Sequence, residues 1–331
     1  MPKYLGREES VGFGIQSGSG DVAAQIWMRH LKNGLKTVVN KKKNESAMGR
    51  PEKTNGSVVT TRWAEGPIEA KLQDTSIGFL FTSLMGGATS SVNDDASEDV
   101  YDHEFPVVSG VEKLLTVAVK NLVASRRYPT AAVSSIEITS EAGSEGDYVM
   151  VAADLVTGDR ITASNTVAYP DPGENEFTSA HVSAKLAANL AGLGAASVLE
   201  TKSIKLTISR ARTPFVPHFT KTPVSHDVEP LVVTGELVLR YKDTTLEDVQ
   251  YANDVRVLLI SIINTDVTIG TAAHPGMTFT MPQVTLETFD KTDDLDSYVE
   301  QTVGFEAELS TEEGYAILPV LTNLRAAYVA A

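Results

Sequence analysis

The chain contains 331 residues, of which 42% are hydrophobic and none is cysteine, and its formal net charge is −15 at pH 7. This length leaves room for two domains with separate cores, whereas the missing cysteines exclude disulfides and thiolate metal sites. No apolar run is long enough to span a bilayer and residues 1–30 lack the layout of a signal peptide, so we expect a soluble protein that acts without export through a membrane.

Residues 1–56 are predicted to form an N-terminal arm and a polar loop. The first 20 residues are rich in glycine and have no sustained period. Residues 23–39 mix apolar and basic side chains, a pattern that fits either an edge strand or a weak amphipathic helix. Residues 41–55 are almost entirely polar, which predicts a long loop before the first regular domain.

The charge of the chain is unevenly distributed. Residues 1–56 contain ten Lys and Arg against five Asp and Glu, whereas the remainder contains 18 against 38. Because so acidic a body repels a polyanion, sequence-specific DNA binding is not expected, although DNA could move past such a surface without sticking. The basic loop either faces solvent or contacts an acidic neighbouring subunit. Its candidate contact residues are Lys41, Lys42, Lys43, Arg50 and Lys53.

One sequence pattern occurs twice. Gly66–Ile77 and Gly235–Leu246 both read Gly-x-(Ile/Leu)-x-x-(Lys/Arg)-x-x-Asp-Thr-(Ser/Thr)-(Ile/Leu), 169 positions apart and without a gap. Apolar and polar residues alternate in the first half of each, which predicts strands with one buried face over 65–73 and 234–242. The apolar residues of these two strands are Ile68, Ala70, Leu72, Leu237, Leu239 and Tyr241.

A short helix is predicted after each of these strands, over Ile77–Met85 and from Leu246 to about Asn253. Asp74–Ser76 and Asp243–Thr245 precede the helices and offer side-chain oxygens to their first backbone N–H groups. Such residues are typical of a helix N-cap.

The same offset holds further along the chain. Leu115–Val117 falls on Val284–Leu286, and Ile136–Ile138 falls on Phe305–Ala307. We therefore predict two copies of one domain, against the alternative of two unrelated β-rich halves. The predicted boundaries are 1–56 for the arm and loop, 57–160 for copy one, 161–227 for a connecting segment and 228–331 for copy two.

Each copy is predicted to consist of an opening strand, a short helix and antiparallel strands joined by Gly- and Ser-rich turns. The further strands are Leu114–Val119, Ile136–Ser140 and Tyr148–Leu155, with Thr278–Thr288, Thr302–Leu309 and Tyr315–Leu321 as their partners. The fold class is therefore mainly β, a β-sandwich or open-barrel module with one flanking helix.

The connecting segment is harder to assign from its pattern. Ser179–Ala196 is rich in Ala and Leu, which favours a surface helix or a loop excursion of copy one. Ser203–Ser209 alternates as a strand does, and the three prolines of Thr213–His226 predict an extended connection into copy two.

Residues for catalysis or for binding a cofactor or metal are not predicted. The six histidines are scattered, with no two at metal-ligand spacing, and no phosphate-binding loop, nucleophile elbow or metalloprotease motif occurs. Asp94, Asp95, Glu98 and Asp99 form one acidic cluster, and Asp293, Asp294 and Asp296 form another. Either could hold Ca²⁺ weakly or simply be a solvated loop. We expect a protein that is not an enzyme.

The chain resembles the major tail tube proteins of long-tailed bacteriophages. The resemblance lies in the strand-to-helix unit at Gly66–Asp74 and in the later strands. It also includes the Gly12–Gln16 opening and the polar loop before copy one. The later strand segments that carry it are His103–Phe105, Leu115–Val117 and Ser134–Ile138.

This resemblance implies a structural virion protein that is made in the host cytoplasm and assembles into stacked rings around a DNA conduit. Each tube domain contributes strands to a closed inner β-barrel, for which 65–73 and 234–242 are the candidates. Members with a duplicated domain form homotrimeric, pseudo-hexameric rings, whereas members with decorating domains form homohexamers. The implied partners are further copies of the chain, a tape measure protein and tail completion proteins.

Two other classes of function compete with this one. The first is a tandem β-sandwich binding module that recognises glycans, which usually presents aromatic side chains on an exposed face; Trp27 and Trp63 are far apart in the sequence. The second is a β-rich hydrolase with an acidic pair, but no such pair is marked. Rings or tubes in electron micrographs would favour the tail tube protein over both.

Overall fold

The protein is built almost entirely of strands. The computed structural model describes residues 5–18, 20–93, 99–143, 146–162, 173–292, 295 and 298–329. With 51% strand and 10% helix, the predicted mainly β class is confirmed. The strands are β1 (Ser10–Ile15), β2 (Ile26–Met28), β3 (His30–Asn33), β4 (Lys36–Lys43), β5 (Ser57–Lys71), β6 (Thr89–Val92), β7 (Tyr101–Glu104), β8 (Leu115–Lys120), β9 (Ser125–Glu141), β10 (Met150–Thr157), β11 (Ile161–Thr162), β12 (Val182–Ala187), β13 (Thr201–Ser209), β14 (Arg212–Phe215), β15 (Ser225–Val228), β16 (Val232–Arg240), β17 (Arg256–Ile263), β18 (Gly276–Lys291), β19 (Glu300–Ala307) and β20 (Leu318–Asn323). The α-helices are α1 (Ser76–Met85) and α2 (Thr245–Ala252), and short 3-10 turns occur at Gly6–Glu8, Ser179–His181 and Leu190–Gly194.

One antiparallel sheet runs through the whole molecule. Its order is β4–β5–β10–β9–β13–β16–β19–β18, with β3 extending β4 along β5. We call this the central sheet. The apolar residues of one of its faces, such as Ile68, Ile138, Leu206 and Leu237, are buried in the hydrophobic core. The chain alone does not close this sheet into a barrel.

The two halves of the central sheet have the same pairing order. In the first half the motif strand β5 lies between β3–β4 and β10, and β10 pairs with β9. In the second half the motif strand β16 lies between β13 and β19, and β19 pairs with β18. Helix α1 packs on β9 and helix α2 packs on β18. The flanking hairpins also correspond, since β8 precedes and pairs with β9 as β17 does with β18.

The irregularities of these ladders occur at matching points. β3 has an extra residue, Leu31, opposite the motif strand, and β13 has Lys202 in the same place. On the long strands, Pro129 and Pro282 both occupy a bulge opposite the preceding strand of the hairpin. Proline is tolerated inside a sheet at such bulges because it has no N–H to donate. The two halves therefore have both irregularities at equivalent points of their ladders.

The 169-residue offset agrees with the strand pairing order only as far as the helices. Beyond them, β8 corresponds in the pairing order to β17, not to the strand that contains Val284–Leu286, and Ile136–Ile138 in β9 corresponds to β18 rather than to Phe305–Ala307. The reason is that β6 and β7 follow α1, whereas α2 is followed almost directly by β17. Because inward-facing strands all alternate in the same way, their sequences match equally well out of order.

Three further expectations were wrong in detail. Ser179–Ala196 is not a helix: Val182–Ala187 pairs with β17 and buries Ala184, so sheet pairing outweighs helix propensity. The arm contains a regular strand, β1, which pairs with β8 and buries Val11, Phe13 and Ile15. The connection at Thr213–His226 contains the hairpin of β14 and β15.

Helix α1 is buried along its whole length and has partners at both ends. At its N-terminus the backbone N–H of Ser76 donates to the Glu174 carboxylate, whereas Asp74, the predicted cap, accepts from Asn175 at 2.7 Å. In α2, by contrast, Asp243 accepts from the N–H of Thr245 at 2.9 Å as predicted.

The C-terminal end of α1 is bound by two arginines from the segment between the halves. Arg212 donates to the carbonyl oxygens of Ser83 and Leu84, each at 3.3 Å, and Arg210 donates to that of Met85 at 3.4 Å. Cations at this end and a carboxylate at the other complement the dipole of the helix. The helix is therefore held by a segment that sequence reasoning treated as a connection.

Replacing Glu174 by glutamine is expected to flatten the pH dependence of stability. Burial raises the pKa of Glu174 from its ordinary 4.5 to about 7, so between these values the folded protein binds more protons than the unfolded chain. The contribution of this carboxyl to the free energy of unfolding is present below pH 4.5 and lost as the pH rises through 7. The measurement is a urea titration of both proteins at pH 5 and at pH 8. Between these pH values the free energy of unfolding of the unmodified protein should fall by about 2 kcal/mol more than that of the variant. Parallel profiles for the two proteins would contradict this account.

Candidate self-assembly surface

The central sheet presents one polar face to solvent. Opposite the buried residues of each strand lie exposed or half-buried polar ones, and the acids outnumber the bases. We call this surface the polar face. Its acids include Glu65, Glu69, Glu137, Glu141, Asp154, Glu236, Asp290, Glu300 and Glu306, and its bases include Lys32, Lys36, Lys71, Lys202, Lys205 and Arg240. A surface with this excess of carboxylates repels polyanions.

Ion pairs cross between neighbouring strands on the polar face. Lys205 of β13 lies 2.8 Å from Glu137 of β9, where the two halves of the sheet meet. Lys32 of β3 lies 2.5 Å from Glu69 of β5. These side chains remain partly exposed, so each pair contributes little to stability, but together they reduce repulsion among the acids of this face.

Both outer edges of the central sheet are open within the part of the chain that the structure describes. On one side, β4 pairs only with β5. On the other side, Thr285–Asp290 of β18 pair only with β19. Unpaired strand edges with free backbone donors and acceptors are sites at which another chain can add.

The predicted contact residues lie on a hairpin that extends beyond the body. β4 and β5 form it, and all residues from Val39 to Val58 are exposed. Lys41, Lys42 and Lys43 do not lie in a loop as expected, but at the end of β4, paired with Ser57–Val59. Arg50 and Lys53 lie in the loop, where Lys53 is 3.6 Å from Glu45. We call residues 39–58 the basic hairpin.

Both candidate barrel strands lie inside the central sheet. β5 lies between β4 and β10, and β16 lies between β13 and β19. Ile68 and Ala70 in β5, and Leu237 and Leu239 in β16, are buried on the core face. Leu72 and Tyr241 lie one residue beyond the ends of these strands. Leu72 is fully buried and Tyr241 is half-buried.

Other kinds of site have less support. Within the described ranges no group of three or more potential metal ligands occurs, and no helix there is long and apolar enough to cross a bilayer. The two acidic clusters lie largely outside the described residues. Trp27 is buried, and Trp63 is half-buried with its Nε1 donating to Glu65 at 2.8 Å, so the tryptophans do not form an exposed aromatic face.

Comparison with known families supports one of the three classes of function. The family model described as phage tail tube protein matches residues 6–307. The chain belongs to the phage tail tube protein family. No curated protein matches it. The family places this chain among structural components of the virion that assemble into a tube.

Some parts of this tail tube protein were not found from the sequence. The open edges at β4 and β18 were missed because an edge strand has the same alternation as an inner one. The role of Arg210 and Arg212 was also missed, since they follow β13 without any motif. The alternation of Ser203–Ser209 did indicate a strand, and this strand, β13, joins the two halves of the sheet.

Proposed function

We propose that three copies of this tail tube protein form a ring with six-fold pseudo-symmetry, and that stacked rings form the conduit for phage DNA. The observation that carries this proposal is the continuity of the central sheet. β13 pairs with β9 on one side and with β16 on the other, so both halves contribute to one wall. If each half supplies one sixth of a closed barrel, three chains complete it.

The two halves are, in this proposal, copies of one domain. The matching pairing orders and bulges support it. They also favour wider boundaries than the repeated motif indicated, because β1–β4 in the first half correspond to β12, residues 197–199 and β13 in the second. The copies then extend over about Ser10–Thr162 and Val182–Asn323, and the connecting segment largely disappears.

The polar face would line the lumen. Its excess of carboxylates would keep DNA from adhering to the wall, so that DNA passes without sequence-specific binding. The apolar face would pack against α1, α2 and the outer strands, as it does within one chain. Tape measure and tail completion proteins are the partners expected inside and at the ends of such a tube, which would assemble in the host cytoplasm.

The basic hairpin would join successive rings. It carries five of the ten basic side chains of residues 1–56, a region whose charge opposes that of the acidic body. Attraction of this kind weakens with salt. A hairpin whose residues Val39–Val58 are all exposed in the subunit is free to reach a neighbouring ring.

Cryo-electron microscopy of assembled tubes is expected to show three subunits per ring. In class averages viewed down the tube axis, the inner wall should repeat six times and the outer decoration three times. Six copies of the whole chain around one lumen would overturn the proposed stoichiometry, with the second half then lying outside the tube. Discrete monomers at all concentrations would overturn the tube itself.

A further inference from the structure

The two strands that pair at the junction between the halves, β9 and β13, correspond to the strands at the two open edges of the central sheet. Within one chain, β13 pairs antiparallel with β9, from Ser203 opposite Glu141 to Ser209 opposite Ser135. By the shared pairing order, β3–β4 is the counterpart of β13 and the end of β18 is the counterpart of β9. We propose that β18 of one subunit pairs with β3–β4 of the next subunit in the register of the β9–β13 junction.

This inference rests on the proposed ring and specifies the strand pair that would join neighbouring subunits. We call this pair, β18 of one subunit with β3–β4 of the next, the seam. The register on the β4 side follows from the motif strands. Lys36 lies opposite Glu65, the residue before the motif glycine Gly66, and Thr207 lies opposite Thr234, the residue before Gly235. Lys36 is therefore the counterpart of Thr207.

The register on the β18 side follows from the other neighbour of the motif glycines. Gly66 faces Leu155, and Gly235 faces Phe305. From these partners the ladders continue past equivalent bulges, to Glu137 opposite Ala152 in β9 and Asp290 opposite Thr302 in β18. Asp290 is therefore the counterpart of Glu137.

The predicted seam follows directly. Because Thr207 lies opposite Glu137 inside the chain, Lys36 should lie opposite Asp290 of the neighbouring subunit. Two residues along, Val38 should lie opposite Thr288, as Ser209 lies opposite Ser135.

The chemistry of this seam is complementary. Lys36 and Asp290 are both exposed and opposite in charge, so they match as a cross-strand pair. On the other face of the same strands, the half-buried Thr37 and Phe289 would meet. Their counterparts Ile208 and Ile136 are fully buried at the internal junction. Pairing would thus satisfy the free edges and cover apolar surface that one subunit leaves exposed.

Engineered disulfides test the seam because the chain contains no cysteine of its own. Lys36→Cys is combined in turn with Thr288→Cys, Asp290→Cys and Thr292→Cys, and assembled tubes are oxidised and run on non-reducing gels. The whole central sheet separates residue 36 from these positions in one chain, so any bridge joins two subunits. The pair with Asp290→Cys should cross-link fastest, and the two diagonal pairs several-fold more slowly, because directly opposite Cβ atoms are nearest.

The outcomes separate the seam from the ring. If the largest cross-linked species on the gel contains three chains, the seam and the trimeric ring are both supported. If it contains six chains, the seam is supported and the trimeric ring is overturned. Fastest cross-linking at residue 288 or 292 overturns the register. Tubes in which none of the three pairs cross-links overturn the seam alone, whereas an unmodified chain that never assembles overturns the proposed function together with it.

A charge exchange gives an independent test. Lys36→Asp or Asp290→Lys alone places like charges opposite each other and should raise the critical concentration for tube formation about fivefold. The double variant should return it to within about twofold of the unmodified protein. Glu306→Lys, on the polar face but inside the sheet and opposite the uncharged Thr234 and Thr285, serves as the control for net charge. Single variants that assemble normally, or a double variant that fails as badly as the singles, would overturn the pairing.

Discussion

Replacing Gly66 or Gly235 by alanine is expected to destabilise the folded subunit strongly. A Cβ on Gly66 would overlap the carbonyl oxygen of Gly34 in the neighbouring strand, and the φ of Gly66 is +146°. A Cβ on Gly235 would lie 2.5 Å from the carbonyl oxygen of Lys205 and overlap the Phe305 ring. Backbone strands cannot yield without breaking the central sheet, so we expect a loss of about 3 to 5 kcal/mol from the free energy of unfolding.

The measurement is the yield of soluble protein and its midpoint in urea. Gly194→Ala is the matched control, because a Cβ at that position meets nothing within 4 Å and should change stability by less than about 0.5 kcal/mol. A Gly66→Ala or Gly235→Ala protein that unfolds with the midpoint of the unmodified chain would refute the steric account of the repeated motif.

Deleting residues 41–54 should leave a folded subunit that no longer forms tubes. The deletion removes the tip of the basic hairpin, whose residues are exposed and make few contacts with the body. The core and the pairing of β5 with β10 remain intact, so the circular dichroism spectrum and the unfolding midpoint should stay close to those of the full chain. Tube formation, followed by sedimentation and electron microscopy, should be lost altogether.

A substitution separates the charge of the hairpin from its shape. The triple variant with Lys41→Glu, Lys42→Glu and Lys43→Glu keeps the chain length but reverses the attraction, so its assembly should fail at low salt. The unmodified protein should assemble less readily as salt rises, because the attraction is screened. Tubes of normal length from the deletion protein would show that the rings are joined elsewhere.

The sequence predicts the units of this fold better than their arrangement. The strand-to-helix units at Gly66 and Gly235 were placed correctly because alternation, a glycine and a polar turn occur together. The order of the later strands was wrong because alternation reports which face is buried and not which strand lies alongside. Ser179–Ala196 was misassigned because its Ala and Leu residues satisfy a helix, whereas the open edge of β17 decides its structure.

The features of the candidate self-assembly surface also differ in how far the sequence shows them. The basic cluster of Lys41–Lys43, Arg50 and Lys53 can be recognised from the sequence alone, because this does not require knowing which strands pair. The open edges required the complete set of strand pairs, because an edge is defined by a missing neighbour. The strand pairs were therefore needed to locate the open edges, and also to show that Lys41–Lys43 lie in a hairpin strand and not in the predicted loop.

Asn323 and Tyr328 complete the burial of the N-terminal turn of α1, although they lie far from it in the sequence. Asn323 donates to the carbonyl oxygen of Asp74 at 2.7 Å, and the Tyr328 hydroxyl donates to that of Thr75 at 2.8 Å across 253 positions of sequence. Because these hydrogen bonds join residues 249 and 253 positions apart, the N-terminal turn of α1 is covered only after the chain has folded back on itself, and contacts between such distant residues form slowly. Until they form, the apolar side chains of this helix are exposed to aggregation.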